Sequence, residues 1–252
     1  MTEPAIIPRR FGRTKATDSW LGLGIYAVED AARFADVAPR DARRWLGAYC
    51  RRTPSKTEDT RYAPLWQVRF PAIDGVLGLS FADLVQLQVV VQLRRKLEVP
   101  LQTLRKTVRH AQDVMKTDYP LARRDFQTDG KTLFLEVLTG SDDPSERHLD
   151  DLMTGQFVMR LVLAPLFRQL DCGLDRGAER WWPLGKSRKV VVDPAFAMGQ
   201  PVTSVSYVPT RVLAEAVHAL GSVDAASRWY EVSAAEVRDA MSFEHRGSRA
   251  AA

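Results

Sequence analysis

A helix without a polar face cannot lie on a protein surface, and residues 80–97 read as one such helix. Ser80-Phe-Ala-Asp83 places a capping hydroxyl three residues before a carboxylate, the pattern of a capping box at a helix start. Behind it come Leu84, Val85, Leu87, Val89, Val90, Val91 and Leu93, apolar nearly all round, so this helix has to be buried among other elements. Pro100 then opens a second helix, where the missing N–H costs nothing. Its apolar residues Leu101, Leu104, Val108, Ala111 and Met115 form one narrow stripe. Such a stripe is more often core than dimer seam, and both readings stay open at this point.

The flanking sequence organises around this pair. A chain of 252 residues exceeds the usual single core, so two units are expected with one junction between them. Gly140–Gly155, GSDDPSERHLDDLMTG, carries five acids and little to bury, which favours a linker over an ordinary solvated loop. Phe157–Leu170 reads as a further apolar helix and Val190–Val192 as a strand ending at Asp193-Pro194. Three short helical patterns follow at Thr210–Leu220, Val223–Tyr230 and Ala234–Phe243, the last opened by the capping box Ser233-Ala-Ala-Glu236. Asp125–Glu136 meets part of a calcium-loop pattern, but Asp129-Gly130 is a strong two-residue turn between strand-like flanks, so a β-hairpin is expected there.

Charge is distributed unevenly. Residues 1–70 hold 13 Lys/Arg against 8 Asp/Glu, a surplus of five, whereas residues 188–252 hold 7 of each. Attraction to a polyanion depends on local field, so the basic N-terminal stretch is where nucleic acid would bind. Within it, Tyr26–Leu46 reads as a short helix, a tight turn and a second helix beginning near Pro39. Ala31 and Ala32 are small enough to let the two cross closely. At 100° per residue Ala42, Trp45, Leu46 and Tyr49 share one face of the second helix. Arg40 and Arg44 point the other way, with Arg43 on the flank. Arginines outside a buried anchor suit major-groove entry, because guanidinium neutralises phosphate and also bonds guanine. Arg51, Arg52, Lys56 and Arg61 surround a following turn and suit a basic wing along the backbone. The competing reading is a helical hairpin with a solvated basic face. The C-terminal pair fails the same test: with Val237, Ala240 and Met241 buried, Ala235 and Asp239 face outward, and such a face repels phosphate.

Several function classes lack support. Phe157–Phe167 is the longest apolar stretch, short of the roughly 18 residues a membrane helix requires and broken by Arg160. Arg9, Arg10, Arg13 and Lys15 precede no apolar run, so no secretory signal is expected. Cys50 and Cys172 belong to no CxxC pair, which suits a reducing cytoplasm. The four histidines are scattered, and Asp142-Asp143 and Asp150-Asp151 sit where nothing would hold a metal geometry. Gly185-Lys186-Ser187 lacks the glycine a phosphate-binding loop needs, Arg180 standing in its place. No catalytic constellation, metal or cofactor is therefore expected, and the protein is read as a non-enzyme. Trp229 is expected in the core; of Trp181 and Trp182, one is as readily an interface anchor as a core residue. The basic tail His245–Arg249 is expected to lack fixed structure.

Two segments carry a family resemblance. YAVEDAARFADVAPRDARRWLGAY resembles the N-terminal helix-turn-helix of MerR-like regulators, and LSFADLVQLQVVVQLRRKLEVPLQTLRKTVRHA looks like the helical pair that follows it. RKVVVDPAFAMGQPVTSVSYVPTRVLAEAVHALGSVDAASRWYEVSAAEVRDAMSFE resembles the helical domain of unknown function 433, with Val205 and Tyr207 where similar domains usually place glycines. In this order they resemble a long VapB-type antitoxin of a type II toxin-antitoxin pair. The fold so implied is mainly α: a MerR-like winged helix-turn-helix domain with helical extension over residues 1–139, a linker at 140–155, and a small helical domain with short strands over 156–252, its three-helix unit at 188–245. The implied function is a dimeric protein that binds double-stranded operator DNA through Arg40, Arg43, Arg44 and the wing residues Arg51, Arg52, Lys56 and Arg61. Its C-terminal domain would hold a PIN-domain ribonuclease toxin, with Trp181, Trp182, Arg246 and Arg249 as toxin contacts. The alternative is a MerR-like regulator answering to a small molecule held around Phe157–Trp182.

Overall fold

In the computed structural model, residues 22–47, 49–51, 60–70, 77–139 and 156–249 are described. In chain order they form β1 (Tyr26–Ala27), α1 (Val28–Ala35), α2 (Pro39–Leu46), β2 (Tyr49–Arg51), β3 (Thr60–Tyr62), β4 (Gly78–Leu79), α3 (Phe81–Leu97) and α4 (Leu101–Met115). A 3-10 turn at Pro120–Ala122 leads to α5 (Arg124–Thr139) and α6 (Gln156–Arg168). Then follow β5 (Leu170–Cys172), β6 (Ala178–Trp181), β7 (Val190–Val192), β8 (Pro201–Thr203), α7 (Thr210–Leu220), α8 (Val223–Tyr230) and α9 (Ala234–Arg249). The fold is thus mainly helical with small sheets. Strands β5-β6-β7-β8 make an antiparallel sheet in chain order, β1 pairs with β4, and β2 with β3.

The apolar helix is central, as its composition demands. Ser80 caps α3: its Oγ accepts from Asp83 N at 3.2 Å, while the Asp83 carboxylate accepts from Ser80 N at 2.8 Å. Trp66 Nε1 also donates to Asp83, at 2.7 Å. Burial raises the Asp83 carboxyl above the usual range, and the hydrogen bonds from Ser80, Trp66 and Arg69 offset only part of that. Around α3 pack α1, α6 and the 3-10 turn. The α4 stripe turns into the same core: Leu104, Val108 and Ala111 are fully buried, with Leu101 and Met115 packed at its edge.

The hairpin expected at Asp125–Glu136 is not formed; those residues lie within α5, which packs on α4 and α6. Phe126, Gly130, Leu133 and Phe134 recur at helical spacing and are buried, so the gain from one packed stripe outweighs the local Asp-Gly turn preference. The linker at 140–155 lies outside the described residues. The hydrophobic cores divide elsewhere: Leu163, Phe167, Leu170, Trp181 and Val192 join the core built on α3, so residues 156–192 pack with the N-terminal helices. A second, smaller core holds Leu213, Ala216, Ala226, Val232, Val237 and Ala240 from α7, α8 and α9.

Hydrogen bonds join the segment at β1 to the turn before β8. Ile25 N donates to Met198 O at 3.0 Å and the Tyr26 hydroxyl to Gly199 O at 2.9 Å. Gly199 has φ +85°, and a Cβ there would come within 2.3 Å of the Tyr26 hydroxyl, so glycine is required twice over. Burial, and secondarily the Asp193 charge, push the Tyr26 phenol far above its ordinary value.

Candidate nucleic-acid interface

The geometry of the basic segment begins at the turn between α1 and α2. Asp36 takes the left-handed conformation at φ 56°, ψ 49°, and Val37 N returns to Ala32 O at 2.9 Å, closing α1. Ala38 is extended and Pro39 stands at the first turn of α2, where its fixed φ suits a helix start. Ala31, Ala32 and Ala42 are fully buried between the helices, and Trp45 and Leu46 seat α2 on the core. The helix stops at Gly47, which turns extended, and a Cβ there would meet Arg43 O at 2.8 Å, so glycine fits this cap. Tyr49, expected on the same helical face, instead starts β2, since α2 stops at Leu46.

On the outer side of α2, Arg40, Arg43 and Arg44 are all exposed. Arg43 pairs with Glu29 of α1, which draws it toward the flank. Arg40 and Arg44, one helical turn apart, share the outward face over the Ala42–Trp45–Leu46 anchor. Two residues beyond the helix the chain enters the antiparallel hairpin β2–β3, with Cys50 opposite Arg61 and Arg51 opposite Thr60. Arg51 and Arg61 therefore stand on paired strands, while Arg52 and Lys56 fall outside the described residues. Leu65 N donates to Trp45 O at 2.8 Å, tying the chain after the hairpin back to α2. Chemically the arrangement offers guanidinium donors on the outer face of a seated helix. Among the described residues no group of three His, Cys, Asp or Glu side chains is placed to hold a metal, and no helix is long and apolar enough to cross a membrane.

The C-terminal expectations fare differently. Trp181 is only 6% exposed, packed against Phe34 with its Nε1 3.3 Å from Gln169, so it is a core residue and no surface anchor. Trp182 is half-buried and donates to Asp171 at 2.8 Å. Trp229, expected in the core, is 73% exposed, because α8 turns its small residue Ala226 inward instead. The tail is helical: α9 continues through Arg249, with Arg246 exposed. Asp239, expected to face outward, is 8% exposed and accepts from Arg188 Nε at 2.6 Å and Lys189 N at 2.7 Å. Glu236 is 3% exposed, held by Ser233 and Ser206. Val237 and Ala240 are buried and Ala235 is exposed as periodicity predicts, but the loops at 188–189 and 204–207 cover the side that carries Asp239 and Glu236. Exposed Phe196, Met198, Val205 and Tyr207 gather nearby, with the Phe196 and Tyr207 rings 4.6 Å apart.

Two cavities lie elsewhere. One, about 340 Å³, opens between α1, α9 and the end of β6; the other, about 500 Å³ and more polar, lies among α5, α6 and β5 with Arg124, Arg168, Cys172 and Lys186 on its walls. The sequence carried no signal for the first, whose walls come from residues distant in the chain.

The chain's architecture, a mainly helical fold with small sheets, is one found among solved structures. The crystal structure of Rv2018 from Mycobacterium tuberculosis is similar over 88% of this chain and 98% of that one, with a TM-score of 0.68 and 22% sequence identity. That likeness is one of fold. No protein-family model matches the chain, and no curated protein matches it.

Proposed function

We propose that the chain binds double-stranded operator DNA as a winged helix-turn-helix protein, with α2 in the major groove and β2–β3 as the wing. The observation that carries this reading is the exposure of Arg40 and Arg44 on one face of α2 above a fully seated apolar anchor. A helix of this kind fits a groove about 12 Å wide, and each arginine at a phosphate adds roughly one released counterion. The basic surplus of residues 1–70 supports the same assignment. The wider role proposed is that of an antitoxin, repressing its own operon and holding a PIN-type ribonuclease with the C-terminal unit as part of a dimer. The exposed apolar residues Phe196, Met198, Val205, Tyr207 and Trp229 on that unit support a protein partner there.

The test is a duplex titration over a range of salt concentrations, by fluorescence anisotropy, with Arg40→Ala and Arg44→Ala beside the unaltered protein. Each variant is expected to weaken binding by about 1–3 kcal/mol if it reads a base, and to lower the salt slope by about 1 if it reads a phosphate. Duplex affinities that the double variant leaves unchanged, with the fold intact by circular dichroism, overturn the assignment.

A further inference from the structure

The cavity of about 340 Å³ between α1 and α9 is within the size range of small-molecule sites, roughly 300–1,000 Å³. Three rings converge there: Phe34 lies 5.6 Å from Phe243 and 6.3 Å from Trp181, tilted rather than stacked face to face, and Pro183 completes the apolar wall. The rings pack on one another and together pave one apolar wall of the cavity, a surface against which another flat, aromatic body can lie.

The rim is charged, and the charges are not equivalent. Arg33 lies with its Cζ 4.7 Å over the Phe34 ring but is already committed to Glu244 at 2.8 Å and Asp30 at 3.7 Å. Asp36 is held by Arg95. Arg246, at the end of α9, lines the same mouth and has no acidic partner among the described residues. The balance of the rim is therefore one uncompensated guanidinium beside an aromatic wall.

We propose that this cavity binds a small planar aromatic carboxylate, its ring against the wall of Phe34, Trp181, Pro183 and Phe243 and its carboxylate on Arg246. Guanidinium meets carboxylate in a two-pronged geometry that an uncharged analogue lacks, which is why an acid is preferred over a neutral ring. The site stands independently of whether α2 reads DNA. Because its walls come from α1 and α9 together, an occupant clamps the two elements to each other.

The experiment is calorimetric titration of the full chain with indole-3-acetate and, separately, indole-3-acetamide, in the absence of any nucleic acid. The expected result is saturable binding of the acetate, at least about tenfold tighter than the amide. Arg246→Gln is expected to abolish that tenfold preference and leave the amide affinity unchanged, while Arg246→Lys restores part of it. Amide hydrogen exchange is expected to slow in both α1 and α9 when the acetate is bound. No saturable binding of either probe below about 10 mM overturns the proposal. So does a preference for the acetate that survives Arg246→Gln, or exchange slowed somewhere other than α1 and α9.

Discussion

Glu236 shows how a single side chain takes one role from its neighbours in sequence and another from its neighbours in space. Its backbone N donates to Ser233 Oγ at 3.3 Å, and its carboxylate accepts from Ser233 N at 3.1 Å and Ser233 Oγ at 2.9 Å, the capping box that the spacing of residues 233–236 predicts. The same carboxylate also accepts from Ser206 Oγ at 2.8 Å and Ser206 N at 3.1 Å, a partnership across thirty residues that no local pattern announces. Burial pushes this carboxyl up, but the bonds from Ser206 and Ser233 outweigh it and hold it below its ordinary value of 4.5. A folded value below the unfolded one means that the stabilisation is complete above pH 4.5 and disappears as pH falls through the folded value. Thermal melting between pH 6 and pH 3 is therefore expected to show a smaller acid-side loss in Glu236→Gln than in the unaltered chain, about pH 4 and below. Equal acid slopes for the two proteins would remove Glu236 from that account. Tyr207 is the counterpart at the backbone: it stands at φ +56°, a conformation that favours glycine, and its ring rests on Phe196.

At the scale of elements, helices with a closed local logic were legible. The start of α3 needs only Ser80 and Asp83, and both halves of its capping box are present. Ser80→Ala is expected to cost about 1–2 kcal/mol in denaturant unfolding, at the upper end because the buried Asp83 carboxylate loses its 2.7 Å bond from Ser80 Oγ as well. A loss under about 0.3 kcal/mol would mean that water takes over the cap. The helices α7, α8 and α9 begin where their apolar spacing places them, with Ser222 capping α8 and Ser233 capping α9. Element α5 went the other way. Asp129-Gly130 is a turn signal on its own, and only the surfaces of α4 and α6 make the stripe Phe126–Leu133–Phe134 worth burying as a helix. Strands β5, β6 and β8 were equally silent, being three or four residues each and stabilised by their neighbours in the sheet rather than by their own composition.

Across the whole molecule, the junction between the first helix of the basic segment and the last helix of the chain is the least predictable feature. Arg33 of α1 and Glu244 of α9 pair at 2.8 Å, and Glu244 also accepts from Thr210 Oγ1 of α7 at 2.5 Å. The pair is mostly shielded, with side-chain exposures of 28% and 17%, so its coupling exceeds that of an open surface bridge. A double-mutant cycle of Arg33→Ala and Glu244→Ala in denaturant unfolding is expected to return a coupling of about 1 kcal/mol, the single variants each costing more than half of the double. Strict additivity of the two losses would mean that the junction is held by Phe34–Phe243 packing and the Ile25–Met198 and Tyr26–Gly199 hydrogen bonds, without a contribution from this ion pair.

Residues close in sequence settled what depends on periodicity and on capping: the buried α3, the α4 stripe, the small-residue crossing of α1 and α2, and the outward Arg40 and Arg44. These follow from the chain alone because a helix repeats every 3.6 residues and a cap reaches three residues, distances that a local reading spans. Tertiary structure alone decided that α5 is a helix, that Trp181 is core while Trp229 is exposed, that Asp239 turns inward to Arg188, and that three aromatic rings from distant segments line a cavity. Each of those outcomes depends on which surface arrives from elsewhere to exclude water, and burial of that kind is a property of the assembled chain.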